Sequence, residues 1–212
     1  TIPSFPPSFP DLPPNDSNMT PLPRLILASG SPRRKDLLTE AGYDFQIVKP
    51  LVEEIEDASI PIRELTALNA RLKADAVAGN YRDCIILAAD TLVLLGETVF
   101  GKPTNEAEAE RMLRELNGRT HHVFTAVVIL CPVEERVSTV TVTTEVTFKT
   151  LSGEEMRRYH ARIDPMDKAG AYAAQEHGEL IIDRIVGSMT NVIGLPMDEV
   201  SLVLAETFQI NP

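Results

Sequence analysis

The sequence predicts an α/β protein built on a mixed β-sheet with flanking helices. Three observations point to it. Apolar runs of strand length are interleaved with stripes of helical period, and the runs at 122–131 and 137–148 are close enough to form a long antiparallel hairpin. The run from Cys84 to Ala89 is apolar throughout, as expected for a strand buried on both faces. At 212 residues and 43% hydrophobic content, the chain can bury one substantial core.

From Leu25 a short apolar strand ends at Ala28, a turn passes through Ser29 to Pro32, and a helix follows with Leu37 and Leu38 on its inner side. A second helix is expected over 62–78, where Leu65, Leu68, Leu72 and Ala76 form one apolar stripe and Lys73 falls off it. After the buried strand at 84–89, Leu92 to Val99 reads as a hairpin turning at Gly96 and Glu97, and Asn105 to Leu116 as a helix. The two long strands are joined by a turn at Pro132 to Glu135, and in the second Val140, Val142, Val146 and Phe148 alternate with threonines and Glu145. A helix near Ser152 to Arg162, a glycine-containing segment at 167–178, a strand at Leu180 to Ile185 and a closing helix from Pro196 to Thr207 complete the pattern.

Residues 1–23 hold eight of the sixteen prolines, which fix φ and remove backbone donors. A disordered extension is expected there, leaving residues 24–212 as the folded domain. Met19 stands just before the first strand, so residues 1–18 read as an extension from an upstream start.

The net charge of −11 disfavours nucleic acid, whose phosphates select a basic surface, but leaves room for a small anion where cations converge locally. Cys84 and Cys131 lie in apolar stretches and form neither a disulfide framework nor a zinc pattern, which suits buried thiols in a reducing cytoplasm. No apolar run approaches a membrane span, so no membrane partner is expected.

Four segments could carry chemistry. Ser29-Gly30-Ser31-Pro32-Arg33-Arg34-Lys35 stands where a strand gives way to a helix whose free N–H groups favour an anion. Ser31 could instead simply cap that helix, although cations at an N-terminus oppose the dipole unless a bound anion compensates. Asp90, read as the end of its strand, could hold a divalent metal or orient a water, with Thr91 beside it and Lys102 across the hairpin to neutralise phosphate; a turn aspartate with a solvated lysine reads equally well. Asp167-Lys168-Ala169-Gly170-Ala171-Tyr172 with Gln175, and Gly187 to Pro196, carry small residues that permit close ligand approach, but turns use the same residues. The acidic run Glu53, Glu54, Glu56 and Asp57 reads as a solvated loop from which one carboxylate could supplement Asp90. His121 and His122 should face opposite ways, and with His160 and His177 they show no metal-ligand spacing.

In order, L-A-S-G-S-P-R-R at 27–34, A-A-D-T at 88–91, G-K-P at 101–103, G-R-T-H at 118–121, D-K-A-G-A-Y at 167–172 and G-S-x-x-N-V-x-G-L-P at 187–196 resemble the Maf family of nucleoside triphosphate pyrophosphatases. The resemblance runs from about Leu25 to the last helix. It implies an elongated fold with a deep cleft between two lobes, like that of the inosine triphosphate pyrophosphatases, and hydrolysis of a nucleotide to its monophosphate and pyrophosphate. Asp90 resembles the family's catalytic carboxylate and metal partner, and Glu54 a second acidic position implicated in catalysis and metal binding. Ser29, Arg33, Arg34, Lys73 and Lys102 resemble triphosphate contacts, with both lysines counted in the catalytic set. Arg33, Thr91 and Gln175 resemble positions that choose the nucleotide, and Asp167 joins the substrate-binding set. The pairing of A-A-D-T with D-K-A-G-A-Y looks like the dTTP/UTP branch; Glu176-His177-Gly178 departs from the family's glycine-rich turn. Mg²⁺ or Mn²⁺ is the implied cofactor, and a homodimer is compatible with the likeness. A nucleotide-binding regulator of cell division with weak or no hydrolysis is the alternative, and a phosphatase releasing orthophosphate a third reading.

Overall fold

The computed structural model of the protein describes residues 25–212; the expected disordered extension and the reading of Met19 as a start lie outside the described residues. Thirteen elements organise the chain: β1 (Leu25–Leu27), α1 (Pro32–Glu40), β2 (Phe45–Ile47), α2 (Ile62–Ala78), β3 (Ile85–Leu95), β4 (Thr98–Phe100), α3 (Glu106–Leu116), β5 (Thr120–Cys131), β6 (Arg136–Phe148), α4 (Gly153–His160), β7 (Ile182–Val186), α5 (Met189–Ile193) and α6 (Met197–Phe208). Short 3-10 turns fill 165–171 and 178–180.

The strands form one seven-stranded mixed sheet in the order β2-β1-β3-β5-β6-β7, with β4 also on β3. β2, β1 and β3 run parallel, and the pairs from β3 onward are antiparallel. The run at 84–89 and the first arm of the expected hairpin are one continuous strand, β3, because β5 pairs with it without interruption from Ile86 to Leu94. Asp90 therefore sits in mid-strand, not at a strand end. On its other edge β3 pairs with β1 through Ile85–Leu87 and with β4 through Val93–Leu95. Among the described residues no strand pairs along that edge between Ala88 and Leu92.

Side chains alternate across β3. Ile85, Leu87 and Ala89 face a core shared with Leu37 and Leu38 of α1 and Val200 and Leu204 of α6. Ile86 and Ala88 face a second core closed by Ala70, Ala74 and Val77 of α2. A third core gathers Val93, Phe100, Val123, Val146 and Phe148 under Met112, Leu113 and Leu116 of α3 and Tyr159 of α4. The last core occupies the other end of β3, and the boundary falls at Asp90.

The buried face of α2 differs from the stripe expected of it. Leu65, Thr66, Asn69, Ala70, Lys73, Ala74 and Val77 are buried, whereas Leu68 and Leu72 are 37% and 36% exposed. Small residues let the helix lie close to the sheet, and the polar groups among them find fixed partners, so hydrophobicity alone misplaces the face. The capping expectation at α1 also changes: Ser31 stands at the N-cap position but its side chain caps nothing, and Ser29 Oγ accepts the Ser31 N–H at 3.2 Å. Two short elements, β2 and α5, were not anticipated, since three and five residues carry too little periodicity to register. Cys84 and Cys131 are buried, and among the described residues no helix is long and apolar enough to cross a membrane.

His121 and His122 do face opposite ways: His121 is fully buried, its Nε2 2.9 Å from the Tyr172 hydroxyl and its ring edge-on to Phe148. Burial, with His122 adding to it, pushes its pKa down to about 3.

Two outcomes follow for stability. Ala74→Leu, on the observed face of α2, should cost about 1–3 kcal/mol in urea unfolding, whereas Leu72→Lys on the expected stripe should cost less than about 1 kcal/mol. Because His121 stays neutral in the fold while the unfolded chain takes up a proton below its ordinary value, stability should fall with pH from about 6.5 down to about 3. Over that window His121 contributes a slope of about 1.4 kcal/mol per pH unit, to be read from unfolding curves and flattened in His121→Phe.

Candidate active site

The gap on the edge of β3 is where the site opens. β1 ends before it and the chain turns away through Ser29 and Gly30 into α1; β4 ends on its other side and the chain turns away through Gly101 and Lys102. Strand alternation then divides the neighbours. Asp90 continues the Ile86–Ala88 row toward α2, and Thr91 continues the Ala89 row toward α1 and α5.

On the α2 side, Lys73 Nζ lies 2.6 Å from Asp90 Oδ1 and 2.8 Å from Glu54 Oε1, so one ammonium ties the buried aspartate to the connection between β2 and α2. Asp90 is 3% exposed, and its Oδ2 is buried with no hydrogen-bond partner. Burial pushes the Glu54 carboxyl up, but Lys73, then Lys102 and Arg34, outweigh it and hold the group below its ordinary value. Lys102 makes no direct ion pair among the described residues. Burial, countered by Glu54 and reinforced by Arg34, Lys73 and Arg33, holds its ammonium below the usual lysine range.

On the α1 side the two arginines behave differently. Arg34 donates from Nε to the Gly194 carbonyl at 2.8 Å, from Nη2 to Thr91 Oγ1 at 3.1 Å and from Nη1 to Ser29 Oγ at 3.3 Å. Thr91 Oγ1 also meets Thr125 Oγ1 at 3.0 Å, and Thr125 donates to the Asn191 carbonyl at 3.0 Å. Gly194 has φ +122°, and a Cβ there would approach Thr91 Oγ1 to 3.3 Å, so the backbone reaches Arg34 only as glycine. Burial lowers the Arg34 pKa to about 10, against Asp90, which raises it. Arg33 reaches across the cleft to Asp167, with Nη1 2.7 Å from Oδ2 and Nη2 3.0 Å from its carbonyl oxygen. Lys168 Nζ holds the other carboxylate oxygen at 2.7 Å. The Asp167 carboxyl, raised by burial, is drawn below its ordinary value by Lys168 and Arg33.

The cleft is lined by Arg33, Arg34, Glu54, Lys73, Asp90, Thr91, Lys102, Asp167 and Gln175. Ser29 lines its continuation toward Lys49. Nine of the ten site residues named from the family resemblance thus line one cleft, and Ser29 lines its continuation. Val93, Val123, Tyr172, Ala173, Ala174 and Val192 supply the apolar part of the same lining. Gln175 is exposed and donates to Glu176 Oε1 at 3.2 Å.

The family model for Maf-like proteins matches residues 24–207. The chain belongs to the Maf-like family. It is 49% identical over 179 residues to a dTTP/UTP pyrophosphatase of Akkermansia muciniphila, covering 84% of this chain and 94% of that protein. It is 43% identical over 182 residues to a dTTP/UTP pyrophosphatase of Dictyoglomus thermophilum, covering 85% and 94%. Among solved structures, a HAM1 protein from Coxiella burnetii overlaps with a TM-score of 0.49 at 15% identity, covering 87% of this chain and 100% of that one; the family assignment does not rest on it.

Sequence reasoning missed the residues that brace this family's motifs from behind. The Tyr159 hydroxyl accepts the Ala173 N–H at 2.9 Å and donates to the Ala173 carbonyl at 3.0 Å, and His160 Nε2 lies 3.0 Å from the Ala171 carbonyl. Asn191 Nδ2 donates to the Val123 carbonyl and Thr144 Oγ1 at 3.1 and 3.0 Å. Asn191 had a signal, its place in the 187–196 motif; a tyrosine on a short helix had none.

Arg34→Lys should not be conservative, because one ammonium cannot serve three acceptors arranged for a guanidinium. A loss of about 1–3 kcal/mol in chemical denaturation is expected, against no change for Lys35→Arg on the exposed face.

Proposed function

We propose that the cleft hydrolyses a pyrimidine nucleoside triphosphate, dTTP or UTP, to its monophosphate and pyrophosphate. The observation that carries the reading is Asp90: a carboxylate buried among cations, with one oxygen held by Lys73 and the other unpartnered. Binding phosphate alone would be weakened by a carboxylate in that position. Its retention fits a group that must accept a hydrogen bond from water. The names of the relatives support the same reaction and the same bases.

In this reading the phosphates lie among Arg33, Lys73 and Lys102, and the base lies against the apolar part of the lining. Asp90 Oδ2 accepts a hydrogen from a water and directs its lone pair onto the α-phosphorus. The bond from the α-phosphorus to the bridging oxygen breaks, pyrophosphate leaves with that oxygen, and the water's proton passes through Asp90 to solvent. Arg33, Lys73 and Lys102 take up the charge that develops on the leaving group, which is the electrostatic help phosphoryl transfer chiefly needs. Arg34, fixed by three protein acceptors, contributes its charge from a set position.

A divalent cation suits the donor set. The Asp90 and Glu54 carboxylates, both paired with the Lys73 ammonium, are hard oxygen donors, and they would hold Mg²⁺ or Mn²⁺ together with the substrate's own phosphates. The substrate's share is needed, because among the described residues no group of three or more His, Cys, Asp or Glu could hold an ion alone. When bound, the cation would supply polarisation of the α-phosphate.

The test is to incubate the protein with dTTP, UTP, CTP, GTP and 7-methyl-GTP plus Mg²⁺ or Mn²⁺, assaying pyrophosphate and orthophosphate separately. Pyrophosphate from dTTP or UTP is expected, reduced at least about 100-fold in a folded Asp90→Asn variant. Binding without cleavage would replace this reading with the regulator.

A further inference from the structure

Asn69 lies on the buried face of α2, one helical turn before Lys73, and is 2% exposed. It does not line the cleft. Its carboxamide is turned onto the main chain of Ile55: Oδ1 accepts the Ile55 N–H at 2.8 Å, and Nδ2 donates to the Ile55 carbonyl at 3.1 Å. Two bonds to the N–H and C=O of one residue reproduce the exchange made between paired strands, and they fix both the place and the orientation of that segment. The residue before Ile55 is Glu54.

Little else holds this stretch. No helix or strand lies between Ile47 and Ile62. Leu51 is 90% exposed and Val52 36%. Among the described residues, the main-chain hydrogen bonds of 49–56 are the two made by Asn69. An open groove, lined by Glu54, Ile55, Leu65, Asn69, Phe100 and Met112 among others, adjoins the segment and gives it room to relax. The Glu54 side chain is 40% exposed, and its contact with Lys73 is at the carboxylate tip. A tip-to-tip ion pair in partial contact with water restrains a loop weakly. The amide clamp is the stronger constraint.

We propose that Asn69 is a positioning residue that holds Glu54 for the reaction. By its two bonds to Ile55 it sets the Glu54 carboxylate against Lys73 and beside Asp90. One face of α2 then supplies both the cation and the clamp, four residues apart. The inference rests on the hydrolysis proposed above.

Asn69→Leu conserves volume and removes both bonds, and Asn69→Ala serves if leucine prevents folding. In steady-state pyrophosphate release from dTTP or UTP, kcat should fall about 10- to 100-fold with KM changed less than about threefold. In a Glu54→Gln background the same substitution should cost less than about a further twofold, since the group it positions is already gone. An equal factor in both backgrounds, or no fall in kcat, overturns the proposal. Hydrogen exchange supplies a readout independent of turnover: the Ile55 amide should be protected relative to Glu53 and Glu54 in the wild type and lose that protection in the variant. An Ile55 amide that exchanges as fast as its neighbours in the wild type overturns it too. If the wild type cleaves no triphosphate, the reading of the reaction falls, and exchange alone decides whether Asn69 clamps the segment.

Discussion

The architecture depends on a break in pairing along one edge of β3. An eleven-residue strand is held by β5 along one side, while on the other side β1 and β4 cover only its two ends. Backbone left without a strand neighbour must be covered by loops, side chains or solvent. Here the two chains that leave the gap are the basic turn after β1 and the Gly101-Lys102 turn after β4, so the same break that opens a cleft also delivers cations to both of its walls. Period-two alternation then sends Asp90 and Thr91 to opposite faces, one toward the ammonium of α2 and the other toward the guanidinium of α1.

Gathering Arg33, Arg34, Lys73 and Lys102 around so small a space is electrostatically costly, and the fold offsets it in distinct ways. Lys73 is neutralised by two carboxylates and Arg33 by Asp167 across the cleft, while Arg34 keeps its charge and is hydrogen-bonded by three neutral acceptors, Thr91, Ser29 and the Gly194 carbonyl. Lys102 is left with the field of Glu54 and without an ion pair of its own among the described residues. An arriving polyphosphate would complement what the protein leaves incomplete, and its binding would compete with Asp167 for Arg33. Part of the apolar lining, Tyr172 to Ala174, belongs to a stretch pinned by Tyr159, His121 and His160, so its position is set by the third core.

Much of the fold was legible because long elements leave long patterns. β5, β6, α3 and α6 stand close to where period places them. The candidate site was legible for a different reason: short motifs such as S-G-S-P-R-R, A-A-D-T and D-K-A-G-A-Y carry a family resemblance, although Arg33 and Arg34 lie in α1, Lys73 in α2 and Asp90 and Thr91 in mid-strand. What stayed illegible were groups whose role exists only across the fold. The stripe Leu65-Leu68-Leu72 gave no hint that Asn69 and Lys73 are the buried ones, because the partners that make their burial tolerable, Ile55 and Asp90, lie 14 and 17 residues away in sequence.

By itself, then, the sequence determined the longer elements, their approximate ends and the mixed character of the sheet, which follow from local periodicity and turn chemistry, while the side chains suited to a polyphosphate were marked by motifs that resemble a known family. Only the tertiary structure decided that β3 runs unbroken through Asp90, which face of α2 is inward, and which cation meets which carboxylate. Those outcomes depend on strand register and on the burial of polar groups, and a buried polar group is stable only where a partner from a distant part of the chain arrives to satisfy it.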